Sequence, residues 1–111
     1  MDPDAAVGEV KSVAELNRVI LAEDRGVVID FWGAWCQPCR ALRPHLERLA
    51  RDHADQWRVV AVKVEDNEDL VEAWSVSATP TLLYLRQGKE VHRSMGAVTP
   101  STVAEALTTH S

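Results

Sequence analysis

Two cysteines separated by two residues are the feature of this sequence that most directly suggests chemistry. The segment Cys36-Gln37-Pro38-Cys39 holds the only 2 cysteines of the chain. A thiol pair at this spacing can exchange disulfides, supply half of a zinc site, attach haem or act as a structural staple. Each alternative requires different residues elsewhere in the chain, so the sequence can be tested against each.

The alternatives to redox chemistry lack the residues they need. A zinc site requires two more ligands, commonly a second Cys or His pair, but the 4 histidines contain no pair at zinc-finger spacing. Haem attachment requires His directly after the second cysteine, where this chain has Arg40. A structural disulfide across so short a loop would give little entropic stabilisation. The pattern therefore favours thiol–disulfide exchange, and we expect no metal.

The position of the pair favours a reactive thiolate. Residues 27–32, Val-Val-Ile-Asp-Phe-Trp, are typical of a strand buried on both faces, and apolar residues then recur at helical spacing from Cys36 to about residue 54. The pattern places the charged residues of this helix on its outer face, namely Arg40, Arg43, Glu47, Arg48 and Arg51. A helix N-terminus offers unpaired N–H groups and a positive dipole end, which lower the pKa of a thiol. We expect Cys36 to be the exposed nucleophile and Cys39, facing inward, to be the resolving thiol.

Strands and helices alternate along the rest of the chain. Helices are predicted after Ser12, over 67–74 and after Thr99, and strands over 58–64, 81–86 and 90–94. Alternation in the first half implies right-handed crossovers and parallel pairing, whereas the hairpin at Gly88 adds antiparallel strands. The prediction is a three-layer α/β sandwich with a mixed sheet, formed by one domain over 1–111.

Composition excludes several classes of function. A net charge of −5 argues against nucleic-acid binding, and no apolar run reaches the roughly 18 residues of a membrane span. The acidic N-terminus resembles no signal peptide, so we expect a cytoplasmic protein. In that reducing compartment a lone cysteine pair is expected to be catalytic or metal-binding rather than structural.

Residues 30–40, Asp-Phe-Trp-Gly-Ala-Trp-Cys-Gln-Pro-Cys-Arg, closely resemble the active-site segment of the thioredoxin family. The likeness continues through Pro44, Lys63, residues 78–81, Gly88 and residues 96–97, and covers the chain from the first helix to the last. It implies the thioredoxin-like α/β/α sandwich with a central mixed sheet. It also implies an enzyme that reduces protein disulfides by dithiol–disulfide exchange.

The resemblance implies a role for each residue around the cysteines. Cys36 would attack the target disulfide and Cys39 would resolve the mixed disulfide. Trp35 would shield the rim, Pro80 would be cis, Thr79 would offer backbone hydrogen bonds, and Gly96 would leave room for an extended segment. The implied substrate-binding residues are Trp35, Gln37, Pro38, Thr79, Pro80 and Gly96. Gln37 replaces the more usual Gly, and Thr79 replaces Ile or Val, so the choice of partners is open.

The resemblance also implies partners. Besides disulfide-containing targets, a flavin-containing thioredoxin reductase using NADPH, or another reductase, would recycle the oxidised form. NADPH and FAD belong to that partner, so no bound cofactor is expected here. We expect a monomer.

Asp30 lies in the middle of an apolar run, which is an expensive position for a carboxylate. Burial would raise its pKa, so that it could take the proton of Cys39 through water. Lys63 on the adjacent strand could pair with it and lower that pKa again. Alternatively, Asp30 caps a loop and Lys63 extends into solvent. The residues alone do not decide between these alternatives, and the resemblance favours the pair.

Two rival functions remain at this point. One is a binding module that holds extended peptides in the same groove, with the thiols incidental. Both cysteines together with Asp30, Lys63 and Pro80 argue against it. The other is a disulfide oxidant or isomerase, which the missing signal peptide disfavours.

Overall fold

Five strands form one mixed sheet in a computed structural model that describes residues 5–96 and 98–111. Ala97, which is part of the resemblance described above, lies outside these residues. The strands and helices alternate in the order β1 (Gly8–Val10), α1 (Val13–Ala22), β2 (Gly26–Trp32), α2 (Gln37–Asp52), β3 (Trp57–Lys63), α3 (Glu68–Ala73), β4 (Thr81–Arg86), β5 (Lys89–Met95) and α4 (Pro100–Thr109). A short 3₁₀ turn over Val64–Asp66 joins β3 to α3.

The sheet has the order β1-β3-β2-β4-β5, so β2 lies at its centre. β1 and β2 both run parallel to β3, whereas β4 is antiparallel to β2 and to β5. The predicted three-layer sandwich with a mixed sheet is confirmed. β1 was not predicted, because three residues at the sheet edge carry too little pattern to identify a strand.

The helices begin where side chains can bond their free N–H groups. Ser12 accepts a hydrogen bond from the backbone of Glu15 at 3.0 Å, as the predicted cap requires. At α4, Thr99 and Thr102 bond each other's backbone N–H groups, and Pro100 occupies the first turn. Local sequence therefore determines where these two helices begin.

The two faces of β2 belong to two separate cores. Val27, Ile29 and Phe31 pack in the cluster that includes Leu16 of α1 and Leu70 of α3. Val28 packs on the other face, in the cluster that α2 and α4 cover. Because side chains alternate along a strand, Asp30 and Trp32 share that second face. A carboxylate is thus placed beneath the helix that begins at the cysteines.

Within the described part of the chain, no helix has both the length and the hydropathy needed to cross a membrane.

Candidate active site

Cys36 is the N-cap residue of α2. Its sulfur accepts a hydrogen bond from the backbone N–H of Cys39 at 3.3 Å, and its own N–H donates to the carbonyl of Gly33 at 3.0 Å. Pro38 lies in the first turn, where its missing N–H costs no helical hydrogen bond. The sulfur therefore occupies the place where backbone donors and the helix dipole stabilise negative charge.

Cys36 and Cys39 form a disulfide, with Cα atoms 5.3 Å apart. The structure is thus the oxidised form of the pair. Cys39 is buried, as predicted. The prediction that Cys36 is exposed is wrong for this form, because only 4% of the residue is accessible. In this oxidised form the sulfur of Cys36 lies at the N-terminus of α2, bonded to that of Cys39.

Trp35 forms an exposed rim beside the disulfide, as expected, with 68% of the residue accessible. Its ring lies against Gly33, where an added Cβ would come within 2.9 Å of the indole. Ala34 fixes the loop on both sides, because its N–H donates to Glu65 at 3.0 Å and its carbonyl accepts from Arg40 at 2.6 Å. Gly33 and Glu65 therefore support the rim, and no sequence pattern indicated either role.

The loop before β4 provides the other predicted binding residues. The Thr79–Pro80 peptide bond is cis, as the resemblance implies, and Pro80 is buried. Thr79 and Trp35 line the same pocket of about 180 Å³, together with the apolar side chains Val64, Val71 and Val76. Gly96 has a φ of 79°, a conformation that favours glycine, and no described atom beyond its chain neighbours lies within 4 Å of the place where a Cβ would stand, so this space is open to a target segment.

Asp30 is buried in the core, with 1% of the residue accessible. Burial raises the pKa of its carboxyl group to about 7, an effect that Arg43 opposes and Glu9 reinforces. Within residues 5–96 and 98–111, neither carboxyl oxygen has a hydrogen-bond partner. This group is therefore held near the range in which it can take or give a proton at neutral pH.

Lys63 and Asp30 do not form the expected ion pair. Lys63 is the last residue of β3 and is paired in register with Trp32, whereas Asp30 is paired with Ala61. Its ammonium extends past the strand end to within 3.7 Å of Asp66. The described cation within 4 Å of Asp30 is Arg43, whose Nη2 lies 3.7 Å from Oδ2.

Arg43 was expected on the outer face of α2, which is also wrong. Its side chain is 26% exposed and is directed towards Asp30 and Glu9. A sequence signal for this existed, since residue 43 follows Cys39 by four positions and precedes Leu46 by three. It therefore lies on the apolar stripe of the helix. An arginine on such a stripe indicates a buried partner of opposite charge.

Among the described residues, which include every cysteine and histidine of the chain, no group of three His, Cys, Asp or Glu side chains comes together as a metal site.

Comparison with known proteins gives one consistent result. Residues 8–109 match the family model described as Thioredoxin. The chain is 32% identical to Thioredoxin 1 of Synechococcus elongatus over 97 residues, which cover 87% of this chain and 91% of that protein. It is 33% identical to Thioredoxin-2 of Saccharomyces cerevisiae, with 91% and 95% covered.

Solved structures agree. The X-ray structure of Fasciola hepatica thioredoxin superimposes with a TM-score of 0.88 at 33% identity, and the match covers 95% of this chain and 100% of that one. The similarity therefore extends from β1 to α4 and includes the cysteine pair.

Proposed function

Because the chain belongs to the thioredoxin family and is a thiol–disulfide oxidoreductase, we propose that it reduces disulfides in target proteins through Cys36 and Cys39. One observation carries this proposal. Cys36 caps the N-terminus of α2, beside an exposed tryptophan, and is joined to Cys39 by a disulfide that this helix turn positions. Such a site suits a low-pKa attacking thiol and a nearby resolving thiol.

The reaction transfers two electrons from the dithiol to the target. The thiolate of Cys36 attacks one sulfur of the target disulfide, forming a mixed disulfide and releasing the first target thiolate, which takes a proton from solvent. Cys39 then gives up its proton and attacks the sulfur of Cys36. The mixed disulfide breaks, the Cys36–Cys39 bond forms, and the second target thiolate leaves.

We assign the proton of Cys39 to Asp30. The carboxyl is buried on the face of the sheet that α2 covers, and its raised pKa lets it act as a base near neutral pH. Lys63, whose ammonium lies beside Asp66, is left out of the proton transfer.

The target would bind across the rim that Trp35, Gln37 and Pro38 form at the start of α2. The loop carrying Thr79 and Pro80, together with Gly96, would receive its extended backbone. The pocket that Trp35 shares with Thr79 supports this assignment, since its lining is mostly apolar and suits a side chain of the target. The polar Thr79 would favour targets with a hydrogen-bonding group at this point.

We further propose that the protein acts as a single-domain monomer over residues 1–111, in the cytoplasm. It would carry electrons from a thioredoxin reductase, whose FAD and NADPH supply them. Family membership supports the reductase as partner. The reduction potential of the Cys36–Cys39 pair, measured in glutathione buffers, distinguishes a reductase from an oxidant. An oxidant has the higher potential, so its cysteine pair would stay reduced in a buffer that oxidises the pair of a reductase.

Insulin reduction by dithiothreitol tests the activity. We expect the natural chain to accelerate it and Cys36→Ser to leave it at the uncatalysed rate. In a separate incubation without dithiothreitol, Cys39→Ser that has been reduced beforehand should form a mixed disulfide between Cys36 and an insulin chain, visible on a non-reducing gel and lost on reduction. Uncatalysed rates in all three proteins, with no trapped species, would instead indicate a binding module.

A further inference from the structure

Arg43 lies between the two groups that the resolving step uses. It follows Cys39 by one helical turn, and both side chains line a pocket of about 310 Å³ with Trp32, Arg40 and Pro44. On its other side, its Nη2 approaches Oδ2 of Asp30 at 3.7 Å. One guanidinium group is thus adjacent to the resolving cysteine and to the carboxyl assigned to receive its proton.

The contact between Arg43 and Asp30 is an ion contact without a hydrogen bond. Both oxygens of Asp30 and the Nε of Arg43 are buried and have no hydrogen-bond partner among the described residues. A carboxylate that accepts several hydrogen bonds is locked in its charged form, whereas one that only faces a positive charge can still accept a proton. The charge of Arg43 therefore lowers the proton affinity of Asp30, while neither carboxyl oxygen is occupied by a described hydrogen bond.

Glu9 fixes Arg43 in this position. Its Oε1 accepts from Nη1 of Arg43 at 3.2 Å, and its Oε2 accepts from the indole N–H of Trp32 at 3.2 Å. The guanidinium carbon also lies 5.0 Å from the centroid of the Trp32 ring, within the range of a cation–π contact. β1, β2 and α2 therefore share one network, in which Glu9 supplies the opposing charge.

We propose that Arg43, anchored by Glu9, is a positioning residue that sets the protonation of Asp30 and thereby the rate at which Cys39 resolves the mixed disulfide. The inference rests on the proposed roles of Cys39 and Asp30.

The step that Arg43 controls is the attack of Cys39 on the mixed disulfide, which moves one proton and exchanges one sulfur–sulfur bond for another. A proton passes from the thiol of Cys39 to the carboxylate of Asp30 as the sulfur of Cys39 attacks that of Cys36. The step therefore needs Asp30 ionised beforehand. Arg43 favours the ionised carboxylate and the developing thiolate, since its positive charge lies 3.7 Å from Asp30 and it lines the same pocket as Cys39. Glu9 has the opposite effect on Asp30.

The other charged or titratable groups facing Asp30 contribute less. Lys63 on β3 is turned to Asp66, and Tyr84 on β4 has its own pKa raised by burial and, to a smaller extent, by the charge of Asp30. Among the charged groups on this face, Arg43 makes the closest described contact with the carboxyl. It is therefore the side chain whose replacement should move the titration of Asp30 furthest.

The first test follows the carboxyl carbon of Asp30 by NMR in the reduced full-length protein as pH is raised. Arg43→Met should move the midpoint up by about one pH unit, at the low end of the range for a carboxylate beside arginine, because Glu9 already offsets part of the charge. Arg43→Lys should keep the midpoint near its natural value. Arg48→Met removes an exposed arginine from the same helix and is the matched control, which should not move it.

Glu9→Gln provides a test in the opposite direction. Its single amide oxygen can still accept one of the two hydrogen bonds, from Trp32 or from Arg43, but the negative charge is gone. The midpoint of Asp30 should therefore fall. This variant also covers the case in which Arg43→Met fails to fold. An unchanged midpoint in Arg43→Met, or in Glu9→Gln if Arg43→Met does not fold, would overturn the inference.

The second test measures the resolving step with a disulfide that joins two different peptides. Release of the first peptide reports formation of the mixed disulfide, and release of the second reports resolution, both followed by acid-quenched flow. In Arg43→Met the pH profile of the second release should shift upwards with the Asp30 midpoint, slowing resolution several-fold at pH 7 while the first release is unchanged. A purely structural role would lower the amplitude or both rates without moving the profile.

Asp30→Asn separates this inference from the proposed function. If Asp30→Asn slows the second release but Arg43→Met leaves its pH profile in place, the inference is wrong and the role of Asp30 stands. If Asp30→Asn changes neither release, the proposed role of Asp30 is wrong, and the inference fails with it.

Discussion

The molecule contains two carboxyl–guanidinium pairs whose carboxyl groups have opposite pKa shifts. At the end of α1, Arg25 donates hydrogen bonds to Glu23 from its backbone N–H, its Nε and its Nη2, at 2.7 to 3.1 Å. These bonds lower the pKa of Glu23 to about 2. Beneath α2, Arg43 reaches Asp30 only at 3.7 Å, and burial raises the pKa of that carboxyl to about 7.

The difference shows that an arginine beside a carboxylate does not by itself decide its charge. Hydrogen bonds stabilise the ionised form of Glu23 near the surface, where desolvation is the smaller effect. At Asp30 desolvation is the larger effect, because no described hydrogen bond compensates for it. The first arrangement stabilises the fold, and the second keeps a proton exchangeable at the cost of stability.

The largest expected effect is on the pH dependence of stability in Asp30→Asn. The raised pKa means that the folded state keeps its proton while the unfolded state ionises. Stability from this group is therefore complete below pH 4, falls as pH rises, and is lost above about pH 7. A shift from 3.8 to about 7 corresponds to about 4 kcal/mol.

Urea denaturation of the oxidised proteins between pH 4 and pH 8 measures this effect. The stability of Asp30→Asn relative to the natural chain should rise by about 4 kcal/mol over that range. Other titrating groups are common to both proteins and cancel in the difference. Parallel stability curves would mean that Asp30 is not buried in the way the structure describes.

A smaller effect of opposite sign is expected for Glu23→Gln. Its lowered pKa means that Glu23 contributes stability above about pH 4.5, which is lost as pH falls towards 2. Because Arg25 and Arg58, the cations beside Glu23, are 37% and 42% exposed at the side chain, we discount the shift to about 1–2 kcal/mol. The variant should be less stable than the natural chain at pH 6, and the difference should vanish near pH 2 in the same denaturation assay.

High salt concentration should affect the stability changes of the Glu23 and Asp30 variants differently. At about 1 M ionic strength the screening length is about 3 Å, so the effect of Glu23→Gln should shrink, whereas the effect of Asp30→Asn should persist. Glu72→Gln, which removes an exposed carboxylate on α3, serves as the control. Equal salt sensitivity of the Glu23 and Asp30 variants would contradict the difference in burial.

The sequence indicated the buried carboxylate but not its partners. Asp30 is recognisable because a charge inside a β-branched, aromatic run has few structural explanations. The cysteine pair and the helix starts are equally local, since caps and dipoles involve neighbouring residues. Glu9 and Arg43 are 34 positions apart, and β1 itself has only three residues, so their meeting depends on the tertiary fold. The adjacent strand and the family likeness favour Lys63 as the partner, and the helical pattern places Arg43 outside, although its four-residue spacing from Cys39 sets it on the apolar stripe.

The smallest effect is expected for Lys63→Met. Lys63 and Asp66 are 36% and 68% exposed at the side chain, and exposed pairs of this kind contribute about 0–1 kcal/mol. The variant should therefore lose less than about 1 kcal/mol, and the Asp30 midpoint should move by less than half the shift that Arg43→Met produces. Denaturation and the carboxyl NMR titration measure these two quantities. A shift as large as that of Arg43→Met would restore Lys63 as the partner of Asp30 in the reduced protein, because only a close positive charge changes the proton affinity of a buried carboxyl so strongly.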